Sequence, residues 1–200
     1  MAQEDGTGDT GVTGQEFYCI TVTGDPGSGK STFARAVAGQ SGYQLITTGQ
    51  IFRSLAAGRG ISLTELNELA EQQAEIDHEV DNYLKSLNDT AENLVLDSRM
   101  AWFFVRDSLK IRLTVDPEVA VQRIFRDTTE LREIFPNLET AMEEVERRKR
   151  SEFTRYNKLY GVDISDPKNF DLVINTSRMA PHDVTKEFDR QFELYKSHRS

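Results

Sequence analysis

The sequence predicts an α/β protein in which a parallel sheet of five strands is covered by helices on both faces. Short apolar runs alternate along the chain with longer segments whose apolar residues recur at helical spacing. The first apolar run ends in a glycine-rich turn, and a helical pattern follows that turn at once. Strands that alternate with helices are typical of parallel sheets, because each crossover connection places a helix on one face of the sheet.

The individual elements follow from these patterns. The candidate strands are rich in aliphatic and β-branched residues, and they cover residues 17–23, 43–47, 94–97, 110–115 and 171–174. Helices are predicted over residues 30–38, 50–87 with a break at 58–60, 117–126, most of 127–160, and from 181 onward. Ser62 and Glu65 form a capping box that begins the helix after the break, and Asp116 is a candidate N-cap.

Composition narrows the class of protein. The chain has 200 residues and a net charge of -9, which disfavours nucleic acid or an anionic membrane as a partner. Its single cysteine, Cys19, allows no internal disulfide, and no apolar segment approaches membrane-spanning length. Residues 1–15 hold almost nothing to bury, so we predict a disordered leader and one domain over residues 16–200. We expect small-molecule substrates, a monomer and a cytoplasmic location.

The turn after the first strand carries a complete G-x-x-x-x-G-K-[ST] phosphate-loop motif. Its glycines allow backbone N–H groups to point at a phosphate, and the following helix adds the partial positive charge of its N-terminus. Lys30 is expected to reach the β- and γ-phosphates, and the Ser31 hydroxyl to ligate Mg²⁺. The predicted ATP-binding residues of this segment are Gly24, Asp25, Pro26, Gly27, Ser28, Gly29, Lys30, Ser31 and Thr32.

The phosphate loop alone does not identify the reaction that the protein catalyses, because GTPases, ATPases and small kinases all contain it. The guanine-reading motif Asn-Lys-x-Asp is incomplete, since Asn157 and Lys158 are not followed by the aspartate. A small-molecule kinase is the best remaining class. If the acceptor carries a phosphate, that anionic group is itself the nucleophile, and several arginines without a dedicated base would suffice.

The chain resembles nucleoside monophosphate kinases, most of all the short cytidylate kinases of the archaeal type. The resemblance runs from about residue 17 to the C-terminus and rests on residues 24–32, 48–53, 58–63, 76–77, 94–99, 148–156 and 171–176. It implies the architecture of that class, with a helical acceptor-binding region at about residues 47–90 and a lid at about 127–147. It also implies that ATP, with Mg²⁺, phosphorylates CMP or dCMP.

The resemblance also implies roles for individual residues. The implied acceptor-binding set is Thr48, Gly49, Arg53, Arg99, Arg148, Glu152 and Arg155. The implied catalytic set is Lys30, Asp97, Arg148 and Arg155, with Asp97 and Ser31 holding the metal. Arg123 and Arg126 match arginines at the base of the lid that contact ATP.

Geometry adds detail to these roles. Thr48 and Gly49 are expected to form a turn that offers a hydroxyl and N–H groups to a phosphate, beside the bidentate guanidinium of Arg53. Arg148 and Arg155 are seven residues apart on one helix face, and Glu152 between them could orient either guanidinium.

Two positions depart from the family pattern. Ser98 replaces the usual glycine before Arg99, and Gln50 replaces a frequent aspartate.

Other functions stay open at this point. Another small P-loop kinase could act on AMP, UMP or a hydroxyl acceptor, and a hydroxyl acceptor would require a base such as Asp97. A nucleotide-binding regulatory protein without catalysis is a different class, and nucleic-acid binding through residues 147–150 is a weaker one. Residues 175–177 could either lie over the adenine or form a simple Asx turn.

Overall fold

Five parallel strands form one sheet at the centre of the fold. The computed structural model describes residues 19–90, 92–127 and 135–199. The strands are β1 (Cys19–Gly24), β2 (Gln44–Thr47), β3 (Leu94–Asp97), β4 (Ser108–Thr114) and β5 (Leu172–Asn175). Their order across the sheet is β2-β3-β1-β4-β5, and every pairing is parallel. The predicted fold class is therefore confirmed.

Helices connect the strands and cover both faces of the sheet. In the described residues they are α1 (Lys30–Ser41), α2 (Thr48–Arg59), α3 (Leu63–Gln72), α4 (Ala74–Ser86), α5 (Ala101–Phe104), α6 (Pro117–Arg126), α7 (Leu138–Tyr160) and α8 (Pro181–Arg199). The capping box of Ser62 and Glu65 begins α3 as predicted. Asp116 occupies the N-cap of α6, but its side chain accepts no capping hydrogen bond.

Two details of the helices differ from the sequence-based expectation. The segment after residue 60 is two helices rather than one, because Gln73 has an extended backbone between α3 and α4 (φ -127°, ψ 112°). The helix α5 was not predicted, since four residues are too few to show helical periodicity.

Alternation along the strands builds two separate cores. On one face, Ile20 and Val22 of β1 pack with residues of α1 and α8, among them Phe33 and Phe188. On the opposite face, Cys19 packs against residues of α2, α4 and α5. Because side chains alternate between the faces of a strand, the apolar run of β1 supplies both cores.

The central position of β1 places its carboxyl end beside those of β3 and β4. From β1 the chain moves to β2 on one side of the sheet, and from β3 it crosses to β4 on the other side. In open parallel sheets, ligands bind outside the carboxyl ends of the strands at such a reversal. The topology therefore marks the loop after β1 as the binding edge.

Helices α2, α3 and α4 share a small core of their own. Ala56, Leu66 and Ile76, one from each helix, are buried together away from the main sheet. These helices occupy the predicted acceptor-binding region at residues 47–90, whose role stays a prediction.

Two further predicted segments extend beyond the described residues. The predicted lid at 127–147 includes residues 128–134, which lie outside them, and its second half is the start of the continuous helix α7. The predicted leader at residues 1–15 also lies outside the described residues. None of the helices described is long and apolar enough to cross a membrane.

Candidate active site

The loop between β1 and α1 is shaped by its glycines. Gly27 and Gly29 have φ angles of 75° and 81°, which L residues with a side chain rarely adopt. A Cβ atom on Gly27 would lie 2.8 Å from the carbonyl oxygen of Ala120, so a side chain has no room there. Gly29 is the N-cap residue of α1, and its conformation turns the chain directly into that helix. The loop thus has the shape that brings N–H groups and a helix N-terminus to a phosphate.

A cavity of about 350 Å³ lies above this loop. Residues 25–32 form its floor, and four arginines reach its walls, namely Arg35 of α1 itself and Arg99, Arg123 and Arg148 from three other places in the fold. A concave site with several guanidinium groups attracts a polyanion and can bind its oxygens through paired hydrogen bonds.

Lys30 and Asp97 form an ion pair at the centre of the site. The Lys30 ammonium contacts Asp97 Oδ1, and the Asp97 side chain is only 4% exposed. The strand register explains the contact, because Asp97 at the end of β3 is paired with Val22 near the end of β1. The Thr48 hydroxyl also donates a hydrogen bond to the Asp97 carbonyl oxygen (3.3 Å). Asp97 is therefore already engaged, and it does not line the cavity.

Arg99 connects the phosphate loop with the long helix α7. Its Nε donates to Glu152 Oε1 at 2.9 Å, and its Nη1 contacts the Gly24 carbonyl oxygen. Ser98 is buried, and its hydroxyl accepts a hydrogen bond from the Met100 amide (3.4 Å). The serine at this position is thus accommodated while Arg99 lies against the loop.

The two arginines of α7 contact different regions. Arg148 lines the cavity, and its Nε donates to Glu144 Oε1 at 2.6 Å. Arg155 instead contacts Asp77 on α4, and it is absent from the cavity wall. Glu152 pairs with Arg99 on a different element, and its predicted role in orienting Arg148 or Arg155 stays a prediction. In the folded protein, Arg148 therefore pairs with Glu144 and Arg155 with Asp77.

Glu144 is held strongly in its ionised form. The bidentate hydrogen bond from Arg147 (2.7 Å at both oxygens) is the main cause that lowers the pKa of Glu144 to about 2; burial opposes it, and the contact with Arg148 lowers the pKa further. A carboxylate that is shared by two guanidinium groups orients both of them. Glu144 thus fixes the direction of Arg148 in the absence of ligand.

The candidate acceptor residues after β2 lie in a helix rather than in a turn. Thr48 and Gly49 begin α2, which corrects the predicted turn. Thr47 is the N-cap, and Gln50 completes a capping box because its side chain accepts from the Thr47 amide (2.7 Å). Gln50 therefore has a structural role that an aspartate one carbon shorter would serve less well. The exposed Arg53 folds back toward Gly49 at the same edge of the sheet.

Arg123 and Arg126, the predicted lid-base arginines, are placed differently. The Arg123 guanidinium donates to both the hydroxyl (3.0 Å) and the carbonyl oxygen (2.7 Å) of Thr176, and it lines the cavity. Arg126 is exposed at the end of α6 and does not line the cavity. One helical turn separates the two residues, but only Arg123 faces the loop.

A second cavity of about 290 Å³ adjoins Arg123 on the side of α8. Its lining is mostly apolar and includes Phe33, Met179 and Val184. The Asn175 side chain beside it accepts from the Ser177 amide (2.9 Å), which is the Asx turn considered above. A flat apolar group attached to a phosphate chain in the first cavity would fit this neighbouring space.

Sequence reasoning missed several residues around the site. Arg35 lines the main cavity, Asp77 holds Arg155, and Arg112 on β4 binds the Asp25 carboxylate at 2.8 Å. Arg112 had a visible signal, because a charged residue inside an otherwise apolar strand is buried only with a partner. Arg35 and Asp77 lie in ordinary amphipathic helices, and nothing in the local sequence marks them.

The parallel sheet, its strand order and the glycine-built loop with its lysine define a P-loop kinase fold. Solved structures of that fold are similar to this chain. A shikimate kinase from Bacteroides thetaiotaomicron aligns with a TM-score of 0.61 at 17% identity, covering 88% of this chain and 98% of that one. A gluconokinase from Sinorhizobium meliloti 1021 aligns with a TM-score of 0.56 at 16% identity, covering 92% and 97%. At these identities the likeness concerns the fold alone.

Sequence comparison identifies the family. The model of the cytidylate kinase-like family matches residues 19–178, and the chain belongs to that family. A cytidylate kinase of Methanothermobacter thermautotrophicus is 37% identical over 159 residues, which cover 80% of this chain and 95% of the relative. A cytidylate kinase of Halobacterium salinarum is 35% identical over 180 residues, covering 90% and 92%. The predicted family and the predicted enzyme class, a nucleoside monophosphate kinase, are confirmed.

Proposed function

We propose that this protein transfers the γ-phosphoryl group of ATP to CMP or dCMP, giving ADP and CDP or dCDP. One observation carries the chemistry: Arg99 and Arg148 reach the phosphate-loop cavity beside Lys30, while Asp97 is already paired. A site of this kind neutralises charge on transferring phosphoryl groups without supplying a free base. Membership of the cytidylate kinase-like family supports the choice of a cytidine nucleotide.

ATP is the donor in this proposal. Its β- and γ-phosphates contact backbone N–H groups of the phosphate loop, with Lys30 as a side-chain cation at the same cavity. The adenine occupies the apolar cavity next to Arg123, between α1 and α8. Arg126, which is exposed, has no place in this arrangement, although the resemblance implied one.

The residues of the site fit a magnesium ion that is carried with the nucleotide. Mg²⁺ in kinases is bound by one or two protein oxygens and by the phosphates of the substrate. Ser31 lines the cavity and offers one hydroxyl, whereas the Asp97 carboxylate, the other implied ligand, is bound to Lys30 and would have to exchange that partner for the ion. No cluster of three or more ligating side chains occurs in the part of the chain that the structure describes. The bound ion would neutralise the negative charge that develops between the β- and γ-phosphates.

In this proposal the acceptor phosphate is bound by residues other than those of the phosphate loop. Thr48, Gly49 and Arg53 offer the first turn of α2 and one guanidinium. Arg99, Glu152 and Arg155 extend this surface along α7 and across to α4. The acceptor oxygen attacks the γ-phosphorus, the bond to the β-phosphate oxygen breaks, and ADP leaves. Because the attacking oxygen is already anionic, no proton has to be removed.

The ion pair of Asp97 with Lys30 also argues against a hydroxyl group as the acceptor. A sugar or polyol acceptor needs a carboxylate that can accept its proton. Asp97 is 4% exposed and bound to Lys30, so its carboxylate is not presented to the cavity.

A panel of acceptors tests the proposal. The protein is incubated with ATP and Mg²⁺ and with CMP, dCMP, UMP, AMP or GMP in turn, and the formation of ADP is followed. We expect the highest kcat/KM with CMP or dCMP. Turnover with AMP alone would refute the cytidine acceptor. Tight ATP binding without turnover on any acceptor would support the regulatory alternative instead.

A further inference from the structure

The phosphate loop contains a carboxylate, Asp25, where a negative charge would repel the bound nucleotide. Its two oxygens are neutralised by different cations. Oδ1 accepts a hydrogen bond from Arg112 at 2.8 Å, and Oδ2 lies 3.4 Å from the Lys149 ammonium on α7. The side chain of Asp25 is 15% exposed and that of Arg112 only 8%, whereas Lys149 is 35% exposed, so solvent reaches mainly the Lys149 side of the pair. Asp25 therefore bridges a sheet strand and the helix that carries Arg148.

The sheet side of this bridge is rigid. The side chain of Arg112 is 8% exposed; its Nη1 donates to the Ile164 carbonyl oxygen at 2.7 Å, and its guanidinium lies 5.6 Å from the ring centre of Phe170. The Asp25 amide also donates to the Leu113 carbonyl oxygen at 3.0 Å. With both its backbone and one carboxylate oxygen fixed, the other oxygen offers a stationary acceptor to α7.

The helix side of the bridge is next to the site. Lys149 follows Arg148 in sequence, and successive helix residues point about 100° apart. Arg148 consequently enters the loop cavity, while Lys149 reaches the outer side of the loop at Asp25. Neighbouring residues of α7 thus line two different cavities beside the phosphate loop.

We propose that Asp25 is a positioning residue, which ties α7 to the phosphate loop through Lys149 and thereby sets the approach of Arg148 to the transferring phosphoryl group. The inference rests on the proposed function, since the position of Arg148 affects the rate only if that residue acts on the phosphates. A displacement of about 1 Å in a reacting group can cost up to about a hundredfold in rate.

The test is a double-mutant cycle between Asp25 and Lys149. In the otherwise unchanged protein, Lys149→Met should lower kcat about tenfold and leave the Kd for ATP within about twofold. Lys149→Arg should restore most of the rate, because it keeps the charge. Arg150→Met, the matched control, removes the next charge of the same helix and should change kcat by less than about twofold.

The decisive comparison introduces Lys149→Met into a protein that already carries Asp25→Asn. In the Asp25→Asn protein, Lys149→Met should change kcat by less than about twofold, because the contact is already lost. An equal loss in both backgrounds, or a Kd for ATP that rises in step with the loss of kcat, would overturn the inference.

A parent protein that phosphorylates no acceptor would refute the proposed function separately. In that case the parent, the two single variants Lys149→Met and Asp25→Asn, and the double variant are compared by urea unfolding without nucleotide. Shifts of the midpoint that are simply additive would overturn the bridge itself, and non-additive shifts would support it.

Discussion

The two halves of the candidate site are built in different ways. The donor half is a backbone structure: its loop depends on positive φ angles at Gly27 and Gly29 and on a strand fixed in the middle of the sheet. The acceptor half is a set of long side chains, which lie on helices except for Arg99 in the connection after β3. Three of its cations are each held by a carboxylate, in the pairs Arg99–Glu152, Arg148–Glu144 and Arg155–Asp77.

This difference sets what a ligand has to do in each half. A triphosphate enters a loop whose N–H groups are oriented before binding, so little reorganisation is needed. An acceptor phosphate must take over guanidinium groups that already have anionic partners, such as Arg155 with Asp77. The donor half should therefore be sensitive to added atoms, and the acceptor half to added or removed charges.

The largest effect should come from Arg148. Replacing it by alanine removes the guanidinium that reaches the loop cavity from α7, and kcat should fall by about a thousandfold, as for other arginines that stabilise transferring phosphoryl groups. Steady-state ADP formation measures the change, and circular dichroism checks that the fold is intact. Arg147→Ala is the matched control, because Arg147 also binds Glu144 but is 68% exposed. An Arg148→Ala protein as active as the parent would contradict the placement of this arginine.

The donor half should respond to a single methyl group. Gly27→Ala forces a Cβ atom to within 2.8 Å of the Ala120 carbonyl oxygen at a φ of 75°, so the loop must move. We expect the affinity for ATP, measured by calorimetry, to fall by about a hundredfold, which corresponds to about 2.7 kcal/mol.

Gly39→Ala is the control for this change. Gly39 lies in α1, and a Cβ added there would meet no atom within 4 Å beyond the backbone of its own helix. Alanine should therefore leave ATP binding unchanged and stabilise the helix by about 0.5–1 kcal/mol. Equal ATP affinity in both variants would show that the loop is not held by its backbone shape.

In the acceptor half, smaller effects on the KM for the acceptor are expected from changes at Arg155 and Asp77. Arg155→Ala should raise the KM for the acceptor about tenfold, because a charged hydrogen bond to the phosphate is lost. Asp77→Asn should lower the same KM by about twofold, because Arg155 loses its competing anion. The KM for ATP should stay constant in both, and Glu75→Gln on the exposed side of α4 serves as the control. Changes of the acceptor KM in the same direction would contradict the idea of a competing carboxylate.

Local signals made most of the fold predictable. The apolar runs of the strands, the capping box at Ser62 and the glycine-lysine pattern of the phosphate loop involve residues within a few positions of each other. Their structure is decided by backbone conformation and by alternation, both of which are properties of short segments. The missed break at Gln73 and the unpredicted α5 are also local, but they are too short to show a period.

By itself the sequence thus determined the parallel sheet, the phosphate loop and the presence of arginines suited to a second phosphate. Only the tertiary structure decided how those arginines are used. Arg155 meets Asp77 across 78 positions, Asp25 meets Arg112 across 87, and Arg99 meets Glu152 across 53. Which carboxylate pairs with each arginine depends on their distance in the folded protein, because an ion pair depends on proximity and burial rather than on separation along the chain.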